Sequence, residues 1–148
     1  MKKSFYIILS LFCLNLVSSG YSQQNFNPNT KTTTQSESRK VFSDISDGIA
    51  NQDVESIARY FSSQTYLSLS NGISGYYSSN QAYYVLEDFF KIYRVASFRF
   101  DNIQSDSNNP YATGEYQFEY RGKRDLAQVY IALKKTGKNW KITQITIN

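Results

Sequence analysis

Carboxylates, lysines and tyrosines make up nearly the whole chemical repertoire of this sequence. It has no histidine, and its one cysteine, Cys13, and one methionine, Met1, both fall within the first 22 residues. Beyond that segment no His or Cys remains to ligate zinc, and nucleophilic catalysis by a Ser–His or Cys–His pair is excluded. Any general acid or base must be Asp, Glu, Lys or Tyr. Asp101 is the best-placed carboxylate for an enzyme, beside Phe100 near the end of an alternating segment. Simple alternation turns it away from Phe98 and Phe100, toward solvent. Asp44, Asp47 and Asp53 read as helix-surface or capping residues. Glu115 and Glu119 share a strand face with Arg121, as a solvated face does. No catalytic residue, metal ligand or cofactor is assigned.

Aromatic side chains are the second candidate chemistry. Eleven of the thirteen tyrosines lie after residue 22. Tyr116, Phe118 and Tyr120 alternate along one face, and with Phe98, Tyr130 and Trp140 they are the candidate lining of a ligand pocket. Buried tyrosine hydroxyls need partners, which suits an amphipathic pocket mouth. The plainer alternative is that these rings fill a core against Phe89 and Phe90. Arg121, Lys123 and Arg124 form one basic cluster, and Lys134, Lys135, Lys138 and Lys141 another. In a meander these fall at opposite ends of the sheet, so no continuous patch for nucleic acid is expected. Without Lys2 and Lys3 the balance is fourteen basic against twelve acidic residues, too small an excess to name a partner.

These side chains are held by elements that can be read from periodicity. Thr34 and Glu37 have capping-box spacing, and Val41, Phe42, Ile45 and Ile49 then repeat at helical intervals. Asn51 and Gln52 end that helix. Asp53 caps a second, with Val54, Ile57, Ala58 and Phe61 as its buried side. Residues 66–70 alternate as a strand, Asn71-Gly72 reads as a tight hairpin turn with positive φ at both central residues, and residues 73–77 return. Ser78, with Gln81 at capping-box distance, opens a third helix whose stripe is Ala82, Val85, Leu86, Phe89, Phe90 and Tyr93. The period then changes to two. Strands are expected over 95–104, with Ala96, Phe98 and Phe100 on one face, and over 111–121, 124–135 and 140–147. In the last, Trp140 and Ile142 have one parity and Ile145 and Ile147 the other, so a bulge near Thr143-Gln144 is predicted.

The first residues read as an address. Lys2 and Lys3 precede an apolar run of about 13 residues, 5–17, short of the roughly 20 a spanning helix requires. Ser18, Ser19, Gly20 and Ser22 supply the small residues of a cleavage site. The expectation is a signal peptide over 1–22, cleaved after Ser22, which leaves no transmembrane segment. Phe12 before Cys13 makes lipidation the weaker reading. Residues 23–34 are polar and aperiodic, a disordered leader, and 35–148 form a single domain.

Helix, helix, hairpin, long helix and four long strands make an α+β arrangement, helices packed on a curved antiparallel sheet. The stretch 49–69, the long helix over 80–93 and the end 140–145 resemble the nuclear transport factor 2-like, or cystatin-like cone, superfamily. More narrowly, Ser56-Ile57-Ala58-Arg59-Tyr60-Phe61, Tyr77-Ser78-Ser79-Asn80-Gln81-Ala82, Phe89-Phe90 and residues 140–147 resemble an exported Bacteroidetes family called domain of unknown function 4783, over residues 36–148. Enzymes of the superfamily place His, Asp, Arg or Tyr inside the cone. The absence of His here departs from that pattern and leaves an Asp base with a Tyr donor as the one enzymatic analogy, an isomerase or lyase. The signal segment, the missing His and Cys and the aromatic concave face point instead to an exported, non-catalytic binding module, periplasmic or envelope-associated, for a small amphipathic ligand or a protein partner. An assembly protein, homodimeric or complex-forming through the outer sheet face, is the alternative.

Overall fold

The computed structural model describes residues 28–148. The expected signal segment and leader residues 23–27 lie outside the described residues. The first helix, α1, runs Pro28–Ala50. It therefore starts before Thr34, and residues 28–34, read from sequence as leader, are helical. Thr34 cannot be its N-cap. Proline suits the first helical position because the N–H it lacks would have no partner there. The core stripe is the one expected: Phe42 and Ile45 are fully buried, with Val41 and Ile49 beside them, each worth about 1.5–3 kcal/mol as buried apolar side chains. The helix closes as the sequence suggests. Gln52 takes the left-handed conformation (φ 56°), its N–H donates to the Ile49 carbonyl, and Asp53 N–H donates to the Gly48 carbonyl at 2.8 Å. This double closure satisfies carbonyls the helix would leave open.

Asp53 caps the short α2, Val54–Ala58, by accepting from Ser56 N–H. Phe61 is not on this helix. It is the first residue of β1, Phe61–Leu69, which begins five positions before the alternation becomes visible. The β1–β2 turn also differs from expectation. Only Gly72 takes positive φ (88°), and Leu69 N–H donates to the Ile73 carbonyl, making a three-residue loop with glycine at its left-handed position. After β2, Ser74–Tyr77, Ser78 and Gln81 form the expected reciprocal capping box of α3, Ser79–Ile92.

Four strands follow: β3 Arg94–Gln104, β4 Tyr111–Tyr120, β5 Lys123–Thr136 and β6 Asn139–Ile147. The six-stranded sheet has the order β2-β1-β6-β5-β4-β3. It is mixed, because β1 lies parallel to β6 while every other pairing is antiparallel. The predicted bulge is present: Ala132 faces Gln144 and Leu133 faces Ile142, leaving Thr143 extra. Trp140, Ile142, Ile145 and Ile147 are consequently all buried on one side. Two further bulges in β3, at Ala96 and Asp101, turn Ala96 out to solvent and bring Val95, Phe98, Phe100 and Ile103 to the core. The expected Ala96 face is thus corrected: an extra residue resets the parity. The core lies between this face and the three helices. Among the described residues no helix is long and apolar enough to cross a membrane.

Candidate functional site

Six aromatic residues were singled out by sequence, and the fold sends them to different places. Tyr116 is fully buried on β4. Its hydroxyl donates to the Tyr93 carbonyl at 2.5 Å, and burial holds its pKa well above the usual tyrosine range. Its ring packs 6.0 Å from Phe90, 6.1 Å from Phe89 and 5.7 Å from Phe118. Tyr120 stacks on Tyr93 at 4.9 Å, and Phe118 meets the same Tyr93 edge-on. This end of the cone is therefore filled by rings, as the plainer reading had it. Phe98 packs on Phe100, which contacts Phe42 of α1. Tyr130 faces the other way, because its neighbours Val129 and Ile131 point into the core. It stacks on Tyr111 on the outer sheet face.

Of the six, Phe98 borders a small recess of about 170 Å³ with Ser97, Arg99, Glu115 and Gln117, and Trp140 borders a larger one. A groove of about 480 Å³ lies between α1, the α2–β1 junction and the β5–β6 turn. Trp140, Val41 and Tyr60 supply its apolar surface, and Arg59, Lys138 and Lys141 line it beside a single lining carboxylate, Glu37. The parallel β1–β6 ladder builds this juxtaposition: Ile142 N–H donates to the Tyr60 carbonyl at 2.6 Å, and the Lys141 ammonium donates to the Arg59 carbonyl at 2.8 Å. Lys135 reaches Glu37 at 3.3 Å and lies 5.6 Å from the centre of the Trp140 ring. The buried Trp140 indole N–H has no hydrogen-bond partner among the described residues.

Behind Tyr60 sits a polar cluster that the sequence did not reveal. Asp44 accepts from the Tyr60 hydroxyl at 2.5 Å, and Lys40 and Arg59 lie 2.9 and 3.3 Å from the same oxygen. The Tyr60 hydrogen bond, aided by Lys40 and Arg59, holds the Asp44 carboxyl below its usual range against a partial burial penalty. Burial, then Asp44 itself, pushes the Tyr60 phenol up. The i,i+4 spacing of Lys40 and Asp44 was a legible pair, but nothing local tied either to Tyr60.

The remaining carboxylates are structural or solvated. Asp101 is an exposed bulge residue 3.1 Å from Arg99, and Arg99 also reaches Glu115 at 3.1 Å. Glu119 and Asp47 are exposed. Arg121 is not on the Glu115 strand face, since it occupies the β4–β5 turn with φ 52°. The two basic clusters lie at opposite ends of β5, as expected. Among the described residues no group of three or more acidic, His or Cys side chains is placed to hold a metal.

Comparison with known proteins matches residues 42–148 to the model of a family described as Domain of unknown function (DUF4783). Among curated proteins none matches. A DUF4783 family protein from Bacteroides uniformis has a similar structure, with TM-score 0.65 and 16% identity over 72% of this chain and 94% of that one. A protein of unknown function with a cystatin-like fold from Nostoc punctiforme gives 0.55 and 16% over 76% and 88%. A hypothetical protein with a ketosteroid isomerase-like fold from Catenulispora acidiphila, in complex with trimethylamine, gives 0.59 and 8% over 73% and 83%. At such identities the likeness is one of fold: α+β, nuclear transport factor 2-like or cystatin-like, with three helices on a six-stranded mixed sheet.

Proposed function

Because this chain belongs to the family Domain of unknown function (DUF4783), whose description leaves the activity open, we infer from its own geometry that it is a non-catalytic binding module for a small amphipathic ligand. The observation that carries this reading is the groove of about 480 Å³ beside Trp140. Its size falls in the range of about 300–1,000 Å³ common to small-molecule sites. The trimethylamine held by the Catenulispora acidiphila protein is consistent with a fold able to take small ligands. The lysines and leucine-rich run near the N-terminus support placing the module in the cell envelope after export.

The chemistry at Asp44 argues against the isomerase alternative. A general base needs a carboxylate that takes a proton near working pH, and Tyr60 holds Asp44 ionised and weakly basic. The phenol, in turn, is made harder to ionise. Trp140 is the chain's one tryptophan, so its fluorescence reports the groove without labelling. Saturable changes in its emission on titrating small amphipathic compounds are the expected result. A panel that leaves the emission unchanged would remove the small-ligand reading.

A second reading, self-association through the outer sheet face, rests on the aromatic pairs there. Tyr66 meets Tyr76 at 5.1 Å and Tyr111 meets Tyr130 at 5.6 Å, while Tyr76 is 71% exposed. Light scattering on the mature protein decides it, and a monomer at all concentrations would end it.

A further inference from the structure

We propose that the groove selects an amphipathic anion, a carboxylate or sulfonate carried on a small apolar body. This rests on the groove reading above and adds the sign of the ligand's charge. The groove is lined by three cations and one carboxylate, and the pairing around it leaves the imbalance standing. Glu37, the carboxylate, is engaged by Lys135. Arg59 is engaged by Asp44. Lys141 donates to a neutral carbonyl, and Lys138 has no ion-pair partner among the described residues. Two ammonium groups thus flank an indole wall with no carboxylate to neutralise them. An anionic head beside Lys138 and Lys141 would let an apolar body lie along Trp140 and Val41.

The same geometry disfavours a cationic ligand. A quaternary ammonium would seek the face of the tryptophan ring, but the Lys135 ammonium already lies 5.6 Å from the ring centre, and Lys138 and Lys141 add like charge at the groove.

Three probes of equal chain length separate charge from apolar contact: octanoate, 1-octanol and octyltrimethylammonium. Each is titrated into the mature protein while the Trp140 emission and its single indole N–H resonance are followed. Octanoate is expected to bind at least about tenfold more tightly than octyltrimethylammonium, and added salt should weaken octanoate while leaving octanol unchanged. Lys138→Glu, in an exposed turn, should lower octanoate affinity by about tenfold. Lys141→Gln should act in the same direction. Octanol binding as tightly as octanoate, or octanoate binding indifferent to salt and to Lys138, would overturn the charge selection and leave the groove reading intact. Preference for octyltrimethylammonium would overturn it too. If none of the three probes perturbs Trp140, the groove reading fails and this inference fails with it.

Discussion

At the scale of single residues, the interior tyrosine is a stability device rather than a ligand contact. The Tyr116 hydroxyl has one recorded partner, the Tyr93 carbonyl. Tyr116→Phe should cost about 1–2 kcal/mol at neutral pH, a buried hydrogen bond together with the carbonyl it leaves open. The cost depends on pH in a definite direction. The folded pKa is raised above the ordinary value near 10, so this group's contribution is present in full below that value. It is lost as pH rises through the folded pKa, because only the unfolded chain can ionise the phenol. Urea midpoints for the two proteins should therefore converge as pH rises above about 10, and a constant gap would refute the assignment. Asp44 runs the opposite way. Its folded pKa is depressed, so its contribution is present above the unfolded value and lost as pH falls through the folded one. Asp44→Asn should destabilise by about 1 kcal/mol at neutral pH, allowing for partial solvent screening, and the difference from the parent should vanish in acid.

At the scale of elements, a single extra residue decides which way the last strand faces. Thr143 is the bulge in β6, and its hydroxyl donates to the Ala132 carbonyl at 3.3 Å. Deleting Thr143 would restore unbroken alternation and turn either Trp140 and Ile142 or Ile145 and Ile147 out of the core, at about 1.5–3 kcal/mol per side chain. Loss of a cooperative unfolding transition is expected for the deletion. Thr143→Ala, which keeps the residue count, should cost no more than about 1 kcal/mol, as read by chemical denaturation. This bulge was legible because four large apolar residues on two parities demand it. The third helix was legible from its stripe and its Ser78–Gln81 cap. The first half of β1 was not: Val54, Ile57 and Phe61 fit a helical period, and residues 62–65 carry no apolar alternation, so it is pairing of Phe61 with Ile142 and of Thr65 with Tyr77 that makes them strand. The start of α1 was hidden for a related reason, since its first turns are polar and show no apolar stripe. The β3 bulges at Ala96 and Asp101 left a similar mismatch, Val95 and Ile103 on one parity and Phe98 and Phe100 on the other, but Ala96 shares the Phe98 parity and masked it.

At the scale of the whole molecule, the sheet order explains why the groove could not be seen locally. Arg59 and Tyr60 come from the chain's first half and residues 138–141 from its end, and they meet because β6 inserts between β1 and β5. Trp140 could be singled out from sequence as a large aromatic on a strand. Its partners could not, because parallel pairing across some eighty intervening residues leaves no local signal. The same topology makes the C-terminus decisive for folding. β6 is last in sequence yet interior in the sheet, with β1 hydrogen-bonded on one side and β5 on the other. Without it the β1–β2 hairpin has no tie to the meander, Ile142, Ile145 and Ile147 are absent from the core, and an isolated hairpin is at best marginally stable. A chain ending at residue 138 should therefore show no cooperative unfolding and poor amide dispersion by NMR. Three apolar side chains plus Trp140 amount to about 6–12 kcal/mol, comparable to the roughly 5–15 kcal/mol that holds a domain folded. Adding a separate peptide of residues 139–148 should restore dispersion by supplying β6 between β1 and β5. A truncated chain that unfolds cooperatively on its own would contradict the central place of β6 and, with it, the way the groove is assembled.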